Sequence, residues 1–188
     1  MMRNRKQLLR ATLLTLSLLL ARPLNFQAEP LSLVQPNISA NGFFSVDKVQ
    51  QGRTIQAAIV LDIPSGFHIN SNQPLAKFLI PTSLKIEAPR GIRVSPVGYP
   101  RANLRNFSFS QDKLSVYEGR VVLRFSVTVP ANFATGVTPL RAQLRYQSCN
   151  DEACFAPVSR TVEMPIAVVG ANESAKRING NIFGGSRR

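Results

Sequence analysis

Apolar and polar residues alternate with a period of two through most of the chain beyond residue 40, the pattern of strands that turn one face to a core. In Thr54 to Ile63, Ile55, Ala57, Ile59, Leu61 and Ile63 form one face, and Gln56, Ala58, Val60 and Asp62 the other. Gly119 to Val129 repeats the pattern, with Val121, Leu123, Phe125, Val127 and Val129 opposite Arg120, Val122, Arg124, Ser126 and Thr128. Further strands are predicted over Gly42 to Val49, Phe78 to Ala88, Ile92 to Val97, Leu140 to Cys149, and Val158 to Val169, the last interrupted at Pro165. Turn residues separate them at Pro64-Ser65-Gly66, Pro89-Arg90-Gly91, Glu118-Gly119, and from Pro130 to Pro139. Short strands at this spacing, without an amphipathic helix, predict an all-β fold, an immunoglobulin-like antiparallel sandwich. The lack of tryptophan and of a distant cysteine partner argues against an antibody-type domain.

Two stretches depart from the pattern. Gly98 to Asp112 reads as a long polar loop that nevertheless carries Tyr99, Phe107 and Phe109, and aromatic groups on a loop point to contacts made there. Residues 171–188 are rich in Gly, Ser, Asn and basic residues, and read as a disordered basic tail.

At the amino terminus, Arg3, Arg5, Lys6 and Arg10 precede the uncharged, leucine-rich stretch from Ala11 to Ala21. This is the layout of a secretory signal, and the stretch is shorter than the ~20 residues a spanning helix needs. The predicted organisation is therefore a signal peptide over 1–28, a folded domain over 29–170 and the tail. Export places the domain in an oxidising space such as a periplasm, where cysteines are expected to pair.

Charge changes this picture little. The chain carries 23 basic and 10 acidic side chains; removing Arg3, Arg5, Lys6, Arg10 and Arg22 with the leader leaves 18 against 10, a net +8. The remaining bases are scattered along strands rather than gathered on a helix, which excludes a nucleic-acid binder. A weak peripheral attraction to an anionic membrane surface fits better. His68 is the only histidine, and reads as a surface or loop residue; with two cysteines it falls one ligand short of a tetrahedral zinc site, so neither a metal nor a cofactor is expected. No nucleophile elbow or comparable motif frames the serines and acids.

Candidate chemistry concentrates at the two cysteines, Cys149 and Cys154, in Tyr146-Gln147-Ser148-Cys149-Asn150-Asp151-Glu152-Ala153-Cys154-Phe155-Ala156-Pro157. A bridge across so short a loop is a weak staple, about 2 kcal/mol by chain entropy against roughly 4.7 for a hundred-residue loop. Asn150 to Ala153 has the composition of a tight turn, and Pro157 restarts an extended chain. If the preceding strand runs regularly to its end, Arg141, Gln143, Arg145, Gln147 and Cys149 share one face. Guanidinium groups there would favour the thiolate, while Asp151 and Glu152 oppose it.

The segments Tyr146-Gln147-Ser148-Cys149 and Cys154-Phe155-Ala156-Pro157 resemble the amino-terminal periplasmic domain of the thiol:disulfide interchange protein DsbD. The strand Val116 to Leu123 and Gly66-Phe67-His68-Ile69-Asn70-Ser71 extend the resemblance, which covers roughly residues 40 to 170. It implies a domain whose paired cysteines relay electrons, with Cys154 forming a mixed disulfide and Cys149 resolving it. It also implies an aromatic cap loop over the bridge, here Arg105 to Asp112 with Phe107 or Phe109. Implied partners are a membrane thiol transporter or thioredoxin-like proteins, including acceptors of cytochrome c maturation. The adjacent Phe-Tyr pair of well-known caps is absent here.

Two functions remain open on sequence. One is an exported thiol-disulfide exchange domain, a component of protein-disulfide reduction. The other is a non-catalytic envelope binding module whose bridge only shapes a loop.

Overall fold

The structure, a computed structural model, describes residues 35–184. The expected signal peptide lies outside the described residues. Twelve strands and one short helix follow in chain order: β1 (Ser39–Phe44), β2 (Lys48–Gln50), β3 (Thr54–Asp62), β4 (His68–Asn70), β5 (Ser83–Glu87), β6 (Arg93–Val94), β7 (Asn103–Arg105), β8 (Leu114–Tyr117), β9 (Arg120–Thr128), β10 (Gly136–Tyr146), β11 (Ser148–Cys149), β12 (Val158–Val169) and α1 (Gly180–Phe183).

One sheet has the order β1-β3-β9-β6 and the other β2-β12-β10-β5. Every pairing is antiparallel except the short parallel contact of β2 with β12. Alternation supplies the core between them: Ile55, Ala57, Ile59 and Leu61 of β3 and Val121, Leu123, Phe125 and Val127 of β9 join Leu140, Ala142, Leu144 and Tyr146 of β10 and Met164, Ile166 and Val168 of β12. This is the immunoglobulin-like sandwich that the periodicity predicts. β12 runs through Pro165 without a break. Pro139 lies directly opposite it, outside the stretches where β10 pairs with β5 and β12 with β2, so neither missing N–H is owed to a strand on the outer side.

The outer face of β3 departs from simple alternation. Ala58 and Val60 point away from the core and are nevertheless buried, because Ile182 of α1 covers them together with Phe43, Val122 and Phe183. The carboxy-terminal segment is held there by named bonds. The Lys176 amide donates to Asp47 Oδ1 at 2.8 Å, Asn179 Nδ2 donates to the Phe44 carbonyl at 2.8 Å, and Arg124 donates to the Ile182 carbonyl at 3.0 Å. Up to residue 184 the segment is therefore laid on the sandwich, in place of the disordered tail that its composition suggests. Two apolar side chains in a polar stretch, Ile182 and Phe183, are enough to seat it on an apolar sheet face.

A third, smaller sheet, β11-β4-β8-β7, closes one end of the sandwich. Its strands β4, β8 and β11 continue β3, β9 and β10 beyond bends. The bend after β3 uses Gly66 at φ 81°, and the one between β8 and β9 uses Gly119 at φ 61°, a left-handed conformation that glycine adopts without strain. The supposed loop from Gly98 to Asp112 thus contains a strand, β7. Among the described residues no helix is long and apolar enough to cross a membrane.

Candidate functional site

The site grows from the break between β10 and β11. Regular alternation ends at Gln147, whose side chain ties three segments together. Its Oε1 accepts from Asn70 Nδ2 at 3.1 Å and from the Ile80 amide at 3.2 Å, and its Nε2 donates to the Phe155 carbonyl at 3.1 Å. The chain then leaves the large sheet, and β11 pairs with β4, Cys149 opposite His68 and Ser148 opposite Ile69. Arg145 stays exposed on β10 while Cys149 is 0% exposed. The expectation of a thiol sharing a face with guanidinium groups is thereby corrected: the strand does not run regularly to its end, so the parity that links residues 145 and 149 is lost.

Cys149 and Cys154 are joined by a disulfide. The Asn150 amide donates to the Ala153 carbonyl at 3.0 Å and the Phe155 amide to the Ser148 carbonyl at 2.8 Å. The cysteines sit between these two bonded pairs, at the position where opposed side chains approach closest. Their Cα atoms are 3.9 Å apart. Asn150 Oδ1 shapes the turn by accepting from the Glu152 and Ala153 amides at 2.9 and 2.7 Å, leaving Asp151 and Glu152 exposed at the tip. Phe155, buried, sets its ring 6.0 Å from that of Phe67 and anchors the returning strand, and Pro157 is exposed before β12 begins. Cys154 is half-buried, so the two residues of the bridge differ in exposure: Cys149 is enclosed, while Cys154 borders solvent.

His68 lies beside the enclosed sulfur. It is 2% exposed, contrary to the surface position expected for it, because β4 is flanked by β11 and β8 and the Phe107 ring covers the imidazole. Residues directly opposite in antiparallel strands turn their side chains to the same face. His68, Cys149 and Cys154 therefore form one row across β4, β11 and the returning chain. Burial pushes the His68 pKa below its ordinary 6.5; Glu118 and Asp151 act in the opposite direction, and Arg105 adds to the lowering. Nε2 of His68 is buried without a hydrogen-bond partner.

Over this row lies the aromatic loop. The Phe107 ring stacks on the His68 ring at 4.0 Å with 19° between planes, and Phe109 stacks on Phe107 at 5.5 Å. Ser108 Oγ donates to the Asp151 carbonyl at 2.6 Å, fastening this loop to the turn between the cysteines. Of the two aromatic residues singled out by sequence, Phe107 is placed against the site and Phe109 forms an outer layer. Beside them opens a cleft of about 510 Å³, whose lining includes Phe67, His68, Arg105, Glu118 and Asp151. Sequence reasoning took His68 for a surface or loop residue, read Asn150 only as part of a tight turn, and passed over Ser108. His68 had a further signal in its place within Gly66 to Ser71, and the turn composition pointed to Asn150; Ser108 had none. Among the described residues no group of three or more His, Cys, Asp or Glu side chains is arranged to hold a metal.

The end of this β-sandwich thus carries a cross-strand disulfide beneath an aromatic loop. Residues 38–166 match the family described as thiol:disulfide interchange protein DsbD, N-terminal, and the chain belongs to that family. Similar solved structures include the reduced DsbD N-terminal domain of Neisseria meningitidis, at 15% identity over 73% of this chain and 88% of that one, with a TM-score of 0.42. A complex of the DsbD and PilB N-terminal domains from the same organism matches at 13% identity over 70% and 87%, with a TM-score of 0.46. The N-terminal periplasmic domain of ScsB from Proteus mirabilis matches at 11% identity over 76% of this chain and 51% of that one, with a TM-score of 0.47. No curated protein matches the chain.

Proposed function

We propose that the protein is an exported thiol-disulfide exchange domain that passes reducing equivalents through the Cys149–Cys154 pair. The observation that carries this reading is the unequal exposure of the two cysteines: Cys154 borders solvent, while Cys149 is enclosed beside it. In the reductive half-cycle, a donor thiolate attacks Cys154 Sγ, the bridge breaks, and Cys149 leaves as the thiolate. A second donor thiol then attacks the mixed disulfide, freeing reduced Cys154 and an oxidised donor. Phe107 serves as the cap that shields the bridge from small thiols between encounters.

Family membership supports a membrane thiol transporter or a thioredoxin-like protein as donor, and thioredoxin-like periplasmic proteins, including those of cytochrome c biogenesis, as acceptors. The basic leader and apolar stretch support export to the periplasm, and the domain's excess of bases supports a loose attraction to anionic membrane surfaces.

Two measurements test the proposal together. The bridge is expected to equilibrate with glutathione at a potential above about −300 mV, and Cys149→Ser is expected to retain a partner as a mixed disulfide on Cys154. A potential far below that value, with no partner trapped, would leave a structural bridge in a binding module.

A further inference from the structure

We propose that His68 is the proton acceptor for the Cys149 thiol in the step that releases an oxidised domain from its acceptor. The inference rests on the exchange reading above and assigns a residue to its resolving step. Once the domain is reduced, Cys154 as thiolate attacks an acceptor disulfide, one acceptor sulfur leaves as a thiolate, and Cys154 is joined to the other. Release requires Cys149 to attack Cys154 Sγ, and only a thiolate attacks well. Yet a thiol enclosed in apolar surroundings holds its proton more tightly than a free one. A base must stand next to it, and the row across the small sheet supplies one. Direct opposition places the Cβ atoms of His68 and Cys149 ~4.5–5.5 Å apart.

The other charged groups facing His68 are poorly matched to the task. Arg105 carries a permanent charge and cannot accept a proton, and a carboxylate, as on Glu118 and Asp151, is as a class a far weaker base than an imidazole. An imidazole is the better match. Its Nε2 makes no hydrogen bond that would compete, and burial keeps the ring neutral and ready to accept. When the proton arrives, Glu118 and Asp151 favour the imidazolium. Phe107, stacked on the ring, keeps water from taking its place.

The step balances. The Cys149 proton passes to His68, the Cys149 thiolate bonds to Cys154 Sγ, and the Cys154–acceptor bond breaks. The acceptor leaves as a thiolate that takes up the proton from His68 or from solvent. Two thiols of the domain are oxidised and one acceptor disulfide is reduced.

A chromogenic aryl disulfide, dithio-bis-nitrobenzoate, separates the events when mixed with the reduced protein. Attack by Cys154 releases a first wave of coloured thiolate, and resolution by Cys149 releases a second. His68→Gln is expected to keep the first wave, quickened by no more than about tenfold through the lost Phe107 stack, and to slow the second on the order of 10²-fold near neutral pH. In the unaltered protein the second wave is expected to bend with pH below the ordinary imidazole value of 6.5, a bend absent from the variant. An unchanged second wave in a folded His68→Gln overturns the inference. Should that variant fail to fold, the unaltered protein decides, since a second wave that only climbs with hydroxide also overturns it. Loss of the first wave, or two waves that persist independently in single-cysteine variants, would instead sink the exchange reading itself.

Discussion

Replacing Phe107 by alanine is expected to expose the bridge without unfolding the sandwich. The Phe107 ring stacks on His68 at 4.0 Å and packs against the small cluster of Leu79, Leu114 and Val116. An aromatic stack contributes about 0.5–1.5 kcal/mol beyond its area. Burying roughly half of a phenylalanine adds about 1 kcal/mol. The closed loop thus loses about 1.5–2.5 kcal/mol. If small thiols reach Cys154 only when the loop is open, their rate follows the open fraction. At tenfold per 1.4 kcal/mol, reduction is expected to accelerate by about ten- to sixty-fold. The assay is reduction by excess dithiothreitol, quenched with a maleimide and counted by mass. Phe109→Ala removes only the outer stack, worth about 0.5–1.5 kcal/mol, and is expected to give an increase of about two- to twelve-fold. A rise of less than about twofold for Phe107→Ala, with melting temperature unchanged, would refute the shielding argument.

The carboxy-terminal segment and the buried histidine give two further expectations. Ile182→Ala, at a side chain 5% exposed over Ala58 and Val60, is expected to cost about 2 kcal/mol and lower the melting temperature by about 4–8 °C; a shift under about 1 °C would mean that the segment adds no stability. Because burial lowers the folded-state pKa of His68 below 6.5, the unfolded chain binds more protons between the two values. Stability from this residue is present above pH 6.5 and lost as pH falls through the folded value, so the melting temperature of His68→Gln is expected to decline less over that window than that of the unaltered protein.

Sequence disclosed the scaffold because alternation is a local signal: the core faces of β3 and β9 were readable residue by residue. It disclosed the hairpin because two cysteines and a turn lie within a few residues. What it hid depends on distant contacts. Ala58 and Val60 look like solvent-facing positions until Ile182 arrives from more than a hundred residues away. Gln147 looks like another member of the β10 alternation, and its bonds to Asn70 and Ile80 end that strand's register. His68 looks like a loop residue because β4 is only three residues long, too short to show a period, and its burial comes from β8, β11 and the Phe107 ring.

The bond from Ser108 to the carbonyl of Asp151 is lopsided in what it asks of heredity. Its acceptor belongs to the main chain, so any amino acid at 151 offers the same oxygen. The donor is a particular hydroxyl. Drift at the hairpin tip can therefore retune the charge around the cysteines without unfastening the aromatic loop, whereas a change at 108 removes the fastening itself.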